Sequence, residues 1–293
     1  MRLQLVHETR YDYAPAVRSA QHIAHLRPAD GGQQALLRHS LEISPEPAQR
    51  SESTDVFGNL RTFFSLPSPH ESLCVVARSV VETRAAAQPD HEMAWEDARE
   101  RLRYHRASRY DPATEFAFAS PYVPRHADFM AYALPSFPPG RGLLEAATHL
   151  MQRVHDEFEY VPAATDAGTP ALEALQLRKG VCQDFAHVMI GCLRSLGLPA
   201  RYVSGYLLTE PPPGQPRLVG ADASHAWVSV YLPGAEGPGQ WTALDPTNRR
   251  APGEDYVVLA TGRDYSDVSP VRGVLHGGAN HSLSVAVTVS PAG

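Results

Sequence analysis

The chain has 293 residues, 43% apolar and 20% charged, a globular composition with length enough for one large domain or two ordinary ones. A net charge of −6 argues against binding driven by attraction to nucleic acid or anionic membrane, and no run of about 18 apolar residues offers a spanning helix. Cys74, Cys182 and Cys192 match neither a disulfide framework nor a zinc pattern, so a reducing, cytoplasmic setting is expected.

Short runs rich in aromatic or β-branched residues open the chain: Arg2 to Tyr13, Arg38 to Ser44, Asn59 to Leu66 and Leu73 to Thr83. Gly31-Gly32, Pro45-Glu46-Pro47 and Pro67-Ser68-Pro69 punctuate them as turns, which predicts a β-rich amino-terminal domain over residues 1–85. Residues 86–141 read as an irregular connection with a helix around His91–Tyr104, closed by the Pro/Gly cluster Leu134 to Gly140. From residue 142 the period becomes helical. Leu143, Leu144, Ala147, Leu150, Met151 and Val154 recur every three or four residues, giving an amphipathic helix that ends near Phe158.

A second helix is expected from Cys182 to Leu196, stopped by Gly197-Leu198-Pro199. On a helical wheel, Phe185, Ala186, Met189, Leu193 and Leu196 lie within about 80° of Cys182, a stripe that belongs in a core. Cys182 sits in the first turn, where free N–H groups and the helix dipole favour a thiolate over a thiol and can hold an oxyanion. Its own N–H is the first candidate donor, with Gln183 the second. Asp184 and His187 lie about 200° and 140° around the helix from the cysteine, so neither reaches its sulfur, and His187 reads as a solvent- or domain-facing residue. Cys192, mid-helix among apolar neighbours, and Cys74, opening a strand, read as packing residues.

Strands follow at Arg201–Leu208, His225–Leu232 and Gln240–Asp245, with a last one at Leu283–Val289. In the second of these, Ala226, Val228, Val230 and Leu232 share one face, while His225, Trp227, Ser229 and Tyr231 share the other, which suits a cleft. The return strand brings Asp245 within two or three residues of the position opposite His225, close enough to hold the imidazole by hydrogen bonding. Cysteine at a helix start, histidine at a strand start and aspartate at a strand end form the pattern of a nucleophile, its base and the orienter of that base.

At these residues the sequence resembles a known family. Gly180-Val181-Cys182-Gln183-Asp184-Phe185-Ala186-His187, Leu193 to Tyr206, Ser224-His225-Ala226-Trp227 and Leu244-Asp245-Pro246-Thr247-Asn248 closely resemble the core of bacterial transglutaminase-like proteins. Gly262-Arg263-Asp264-Tyr265 is similar to a later signature of that family, and the amino-terminal segment to the domain its bacterial members carry. The resemblance implies an α+β, papain-like core over residues 142–293, with Cys182 on a central helix and His225 and Asp245 on an antiparallel sheet. It also implies thioester-mediated acyl transfer or hydrolysis at amide or peptide carbonyls, with a protein or peptide substrate; no cofactor and no metal are expected from the residues themselves. Tyr206, Trp227, Arg263, Asp264 and Tyr265 are further candidates for the cleft. Ser229 departs from the acidic residue expected there, which bears on local charge. The contrasting readings are a catalytically silent interaction module with the same fold, and a metal-dependent hydrolase. The latter lacks any His-Glu-x-x-His or Cys-x-x-Cys ligand set.

Overall fold

The structure is a computed structural model that describes residues 1–87, 89–104, 106, 110–209, 224–278 and 280–292. Its first sheet is organised on one long strand, β1 (Arg2–Ala24), whose inward residues Leu3, Leu5, His7 and Thr9 alternate with exposed ones. β2 (Gln34–Ser44), β3 (Gln49–Thr54), β4 (Leu60–Leu66) and β5 (His70–Thr83) follow, in the order β2-β5-β1-β4-β3. The first half of β1 pairs with β5 and the second half with β4. The β1–β5 register breaks between Asp12 and Val17, around Pro15, which has no N–H to donate. β3 escapes the sequence pattern because every residue in it is exposed and Gln-Arg-Ser-Glu-Ser-Thr shows no alternation.

A helical layer comes next: α1 (Trp95–Leu102), α2 (Ala127–Ala133), α3 (Leu143–Glu157), the two-residue strands β6 (Glu159–Tyr160) and β7 (Lys179–Gly180), α4 (Ala171–Leu177) and α5 (Cys182–Ser195). α5 is buried from Asp184 to Arg194 and is enclosed by α2, α3 and α4 on one side and by a second sheet on the other. That sheet contains β8 (Ala200–Leu207), β9 (Ser224–Leu232), β10 (Gln240–Leu244) and β11 (Tyr256–Gly262), antiparallel in the order β10-β9-β8-β11. The aliphatic face of β9, with Ala226, Val228 and Val230, shares one core with Phe185, Ala186 and Met189 of α5. No helix among the described residues is long and apolar enough to cross a membrane.

The chain ends with α6 (Tyr265–Val268), β12 (Val271–Gly277) and β13 (Asn280–Pro291). Both last strands pair with β1, β12 with its second half and β13 with its first. The expectation that residues 142–293 form one core therefore needs correcting, because the carboxy-terminal strands complete the first sheet. The two sheets also share a core: Leu3, Leu5, Val81, Val287 and Val289 belong to the same buried cluster as α5. Polar bonds close the junction at β11, an edge strand. Gln34 Nε2 donates to the Val258 carbonyl (2.9 Å) while Val258 N–H donates to Gln34 Oε1 (2.8 Å). Asn59 treats Thr261 in the same two-bonded way, at 2.7 and 2.8 Å. The two side-chain amides thus act as a surrogate neighbouring strand, satisfying an edge that would otherwise be open.

Candidate active site

Cys182 opens α5, and the turn before it is built for that purpose. Gly180 has φ 156°, and a side chain there would collide with the Asp184 carboxylate. Asp184 Oδ2 accepts from the Val181 N–H (2.8 Å) and from the Thr165 hydroxyl (2.6 Å), which fixes the first turn. The wheel places Asp184 away from the sulfur, and its role here is capping. The helix geometry leaves the N–H groups of Cys182 and Gln183 without intrahelical acceptors.

His225 and Asp245 meet as the strand pattern requires. β10 pairs Leu244 with Val228, so continuing the register sets Asp245 opposite Trp227, two residues from His225. His225 Nε2 donates to Asp245 Oδ2 at 2.7 Å, which leaves Nδ1 as the ring's other hydrogen-bonding atom. Burial disfavours charge on His225, but the hydrogen bond to Asp245, then hydrogen bonding with Cys182, raises its pKa from 6.5 to about 9. Asp245 is itself wholly buried, which opposes its ionisation, yet its hydrogen bonds, led by His225, hold its carboxyl below the usual range. Its Oδ2 also accepts from Asn248 Nδ2 (2.7 Å) and from the Tyr256 hydroxyl (2.7 Å), and its Oδ1 from the Thr247 N–H (2.8 Å).

A cleft of about 250 Å³ lies over Cys182 and His225. Its walls include Gln183, Tyr202, Tyr206 and Tyr265 from the core, His7, Thr9 and Tyr11 from β1, and Leu283 and Val285 from β13. Tyr206 is buried, with its hydroxyl bonded to His7 Nδ1 at 2.7 Å across the junction of the sheets. Gln183 lines the cleft, but its side-chain amide donates to the Ala167 carbonyl at 3.1 Å, so the backbone N–H is the more available oxyanion donor.

Other expected residues lie elsewhere. Trp227 does not line the cleft; it stacks on His225 with ring centroids 6.1 Å apart and meets Tyr256 edge-on. It supports the imidazole from behind. Ser229 shares that face, but four residues along the strand it lines a different cavity. Arg263 and Asp264 also stay out of the cleft. Arg263 is ion-paired to Asp267 at 2.8 Å. Asp264 is fully buried and accepts from the Tyr122 and Ser266 N–H groups. His187, read as facing solvent or a domain boundary, is wholly buried: it lies 5.5 Å from the Tyr122 ring, and its Nε2 accepts from the Tyr265 N–H. Burial lowers its pKa to about 4. Burial pushes the thiols of both Cys192 and Cys74 up.

The sequence reading gave no role to Tyr256 and Asn248, which hold Asp245, or to the wall supplied by β1. Tyr256 heads the run Tyr-Val-Val-Leu-Ala, whose β-branched content could have marked a strand. Asn248 stands in the Leu244–Asn248 segment already singled out. Nothing local could have found His7.

Residues 3–82 match the model of the bacterial transglutaminase-like N-terminal region, and residues 138–246 that of the transglutaminase-like superfamily. An uncharacterized protein of Mycobacterium tuberculosis is 39% identical over 303 residues, covering 99% of this chain and 93% of its own. The protein-glutamine gamma-glutamyltransferase of Pseudomonas aeruginosa is 38% identical over 107 residues, 35% of this chain and 15% of that protein. Among solved structures, that of a "Putative Cysteine Protease" from Cytophaga hutchinsonii has a TM-score of 0.74 at 21% identity, covering 99% of this chain and 90% of that one. That likeness shows the fold.

Proposed function

Since the chain belongs to the transglutaminase-like superfamily, in its bacterial branch, we propose that Cys182, His225 and Asp245 carry out acyl transfer through a thioester on a protein or peptide carboxamide. One observation carries this reading: the His225 imidazole, which lines the same cleft as Cys182, is held from behind by a buried carboxylate at 2.7 Å. The Cys182 sulfur, as thiolate, forms a C–S bond to the carbonyl carbon, and the first-turn N–H groups of α5 hold the oxyanion. The C–N bond then breaks and the His225 imidazolium gives its proton to the departing amine or ammonia. In the second half, water or an amine attacks the thioester and gives its proton to His225, and the thiolate leaves. Water yields hydrolysis or deamidation; an amine yields a cross-link.

The name of the Pseudomonas relative makes a glutamine side chain the first acyl donor to test. Incubation of the full chain with a glutamine peptide and a fluorescent primary amine should give ammonia, and either labelled or deamidated peptide. Cys182→Ala should abolish both products while retaining the wild-type melting curve. A Cys182→Ala protein with unchanged turnover would refute the assignment.

A further inference from the structure

A second cavity, about 650 Å³, opens on the face of the β8–β11 sheet that carries Trp227 and Ser229. Four arginines line it, Arg84, Arg201, Arg249 and Arg250, and its described lining includes no aspartate or glutamate, in a chain whose net charge is −6. Three of the four already face carboxylates: Arg84 lies 3.8 Å from Glu82, Arg249 lies 3.5 Å from Asp156, and Arg250 pairs with Asp255. Arg201 has no carboxylate partner among the described residues, and its buried Nε has no hydrogen-bond acceptor. Its guanidinium lies 4.3 Å from the centroid of the Trp241 ring, and the residue opposite it on β9 is the uncharged Ser229. Burial lowers its pKa to about 10. A partly desolvated guanidinium with only a ring beneath it leaves one positive charge uncompensated, facing an accessible space.

We propose that this cavity is a binding site for a small organic carboxylate, with Arg201 as its counter-ion. One unpaired charge matches a monoanion better than a phosphate dianion, and the planar fork of a guanidinium fits a carboxylate with two parallel hydrogen bonds. The rings of Trp241, Trp227 and Tyr256 give an apolar wall for the body of the ligand, and the volume suits a molecule the size of an amino acid or a short peptide end. The site is separate from the Cys182 cleft, though Trp227 and Tyr256 are the two rings that back His225, so occupancy is placed to be felt at the imidazole.

Calorimetric titration of the full chain tests this with four probes: 3-phenylpropionate, acetyl-Ala-Ala-Phe with a free carboxyl terminus, the same peptide as its amide, and inorganic phosphate. At least one carboxylate should bind, with the amide and phosphate about tenfold weaker or worse. Tighter binding of the peptide assigns a chain terminus as the ligand source, and tighter binding of the free acid a small metabolite. Arg201→Gln should remove the binding. Ser229→Asp should remove it too, by supplying the missing carboxylate from the next strand, and should raise the melting temperature. Ser229→Asp decides the matter if Arg201→Gln does not fold. Cys182→Ala should bind as the wild type does, independently of any turnover. Absence of binding by both carboxylates, equal binding of the amide, binding retained in Ser229→Asp, or binding lost in Cys182→Ala would each overturn the proposal.

Discussion

Burial and hydrogen bonding pull His225 in opposite directions, and the contact with Asp245 decides the outcome: the imidazole keeps its proton to about pH 9. If the protonated ring serves as general acid, kcat/KM should fall as pH rises through about 9. Replacing Asp245 with Asn removes the main group that raises the ring's pKa while leaving it buried. The basic limb of the pH–rate profile should therefore move towards neutrality, and kcat should fall by about 10²–10⁴. A limb that stays near its original position would show that Asp245 does not control the imidazole. Cys182 and His225 were legible from the sequence because each begins an element, and the start of a helix or strand can be read from local pattern. Tyr256 and Asn248 were not, since their function consists only of touching a carboxylate that other residues have placed.

At the scale of elements, β11 is an edge strand whose outward backbone groups at Val258 and Thr261 are satisfied by the side chains of Gln34 and Asn59. Gln34→Ala leaves the Val258 N–H unpaired at a largely buried junction, while the Val258 carbonyl keeps the Ala29 N–H (3.1 Å), and should cost about 1–3 kcal/mol in urea unfolding. At the head of α5, Gly180→Ala meets both a left-handed φ and the capping carboxylate of Asp184, and should cost about 1–3 kcal/mol, with the helix start loosened. Thiol alkylation of Cys182 reports the second effect separately from global unfolding. The helix limits themselves followed from apolar period and the Gly197–Pro199 stop. The cap did not, because Asp184 lies inside the helix and bonds backward.

For the whole molecule, β13 both covers an edge of β1 and supplies Leu283 and Val285 to the cleft wall. Removing residues 280–293 should expose that edge and produce aggregation on gel filtration, whereas a domain independent of its carboxy terminus would stay monodisperse. Stability should also depend on pH in a fixed sense. His7, His22 and His187 are buried, and their pKa values fall from 6.5 to about 4. Their contribution is present above pH 6.5 and is lost as pH falls through about 4, because only the unfolded chain takes up the protons. His225 acts in the opposite window: its contribution is full below pH 6.5 and lost as pH rises through about 9. Urea midpoints at pH 4.5, 6.5 and 9 should therefore be highest at the middle value.

Read alone, the sequence determined the elements whose pattern is local: the α3 and α5 helices, the β9–β10 hairpin, and with them the approach of a helix-start cysteine to a strand histidine and its aspartate. Tertiary structure alone decided which residues wall the cleft, which amide and hydroxyl hold Asp245, and where the last strands pair. Those outcomes depend on β1 receiving strands from residues more than 250 positions away, and hydrogen bonding between strands carries no mark in the pattern of either one. Arg201 shows the same limit. Its charge was plain in the sequence, while its lack of a partner became visible only when Ser229 was found opposite it.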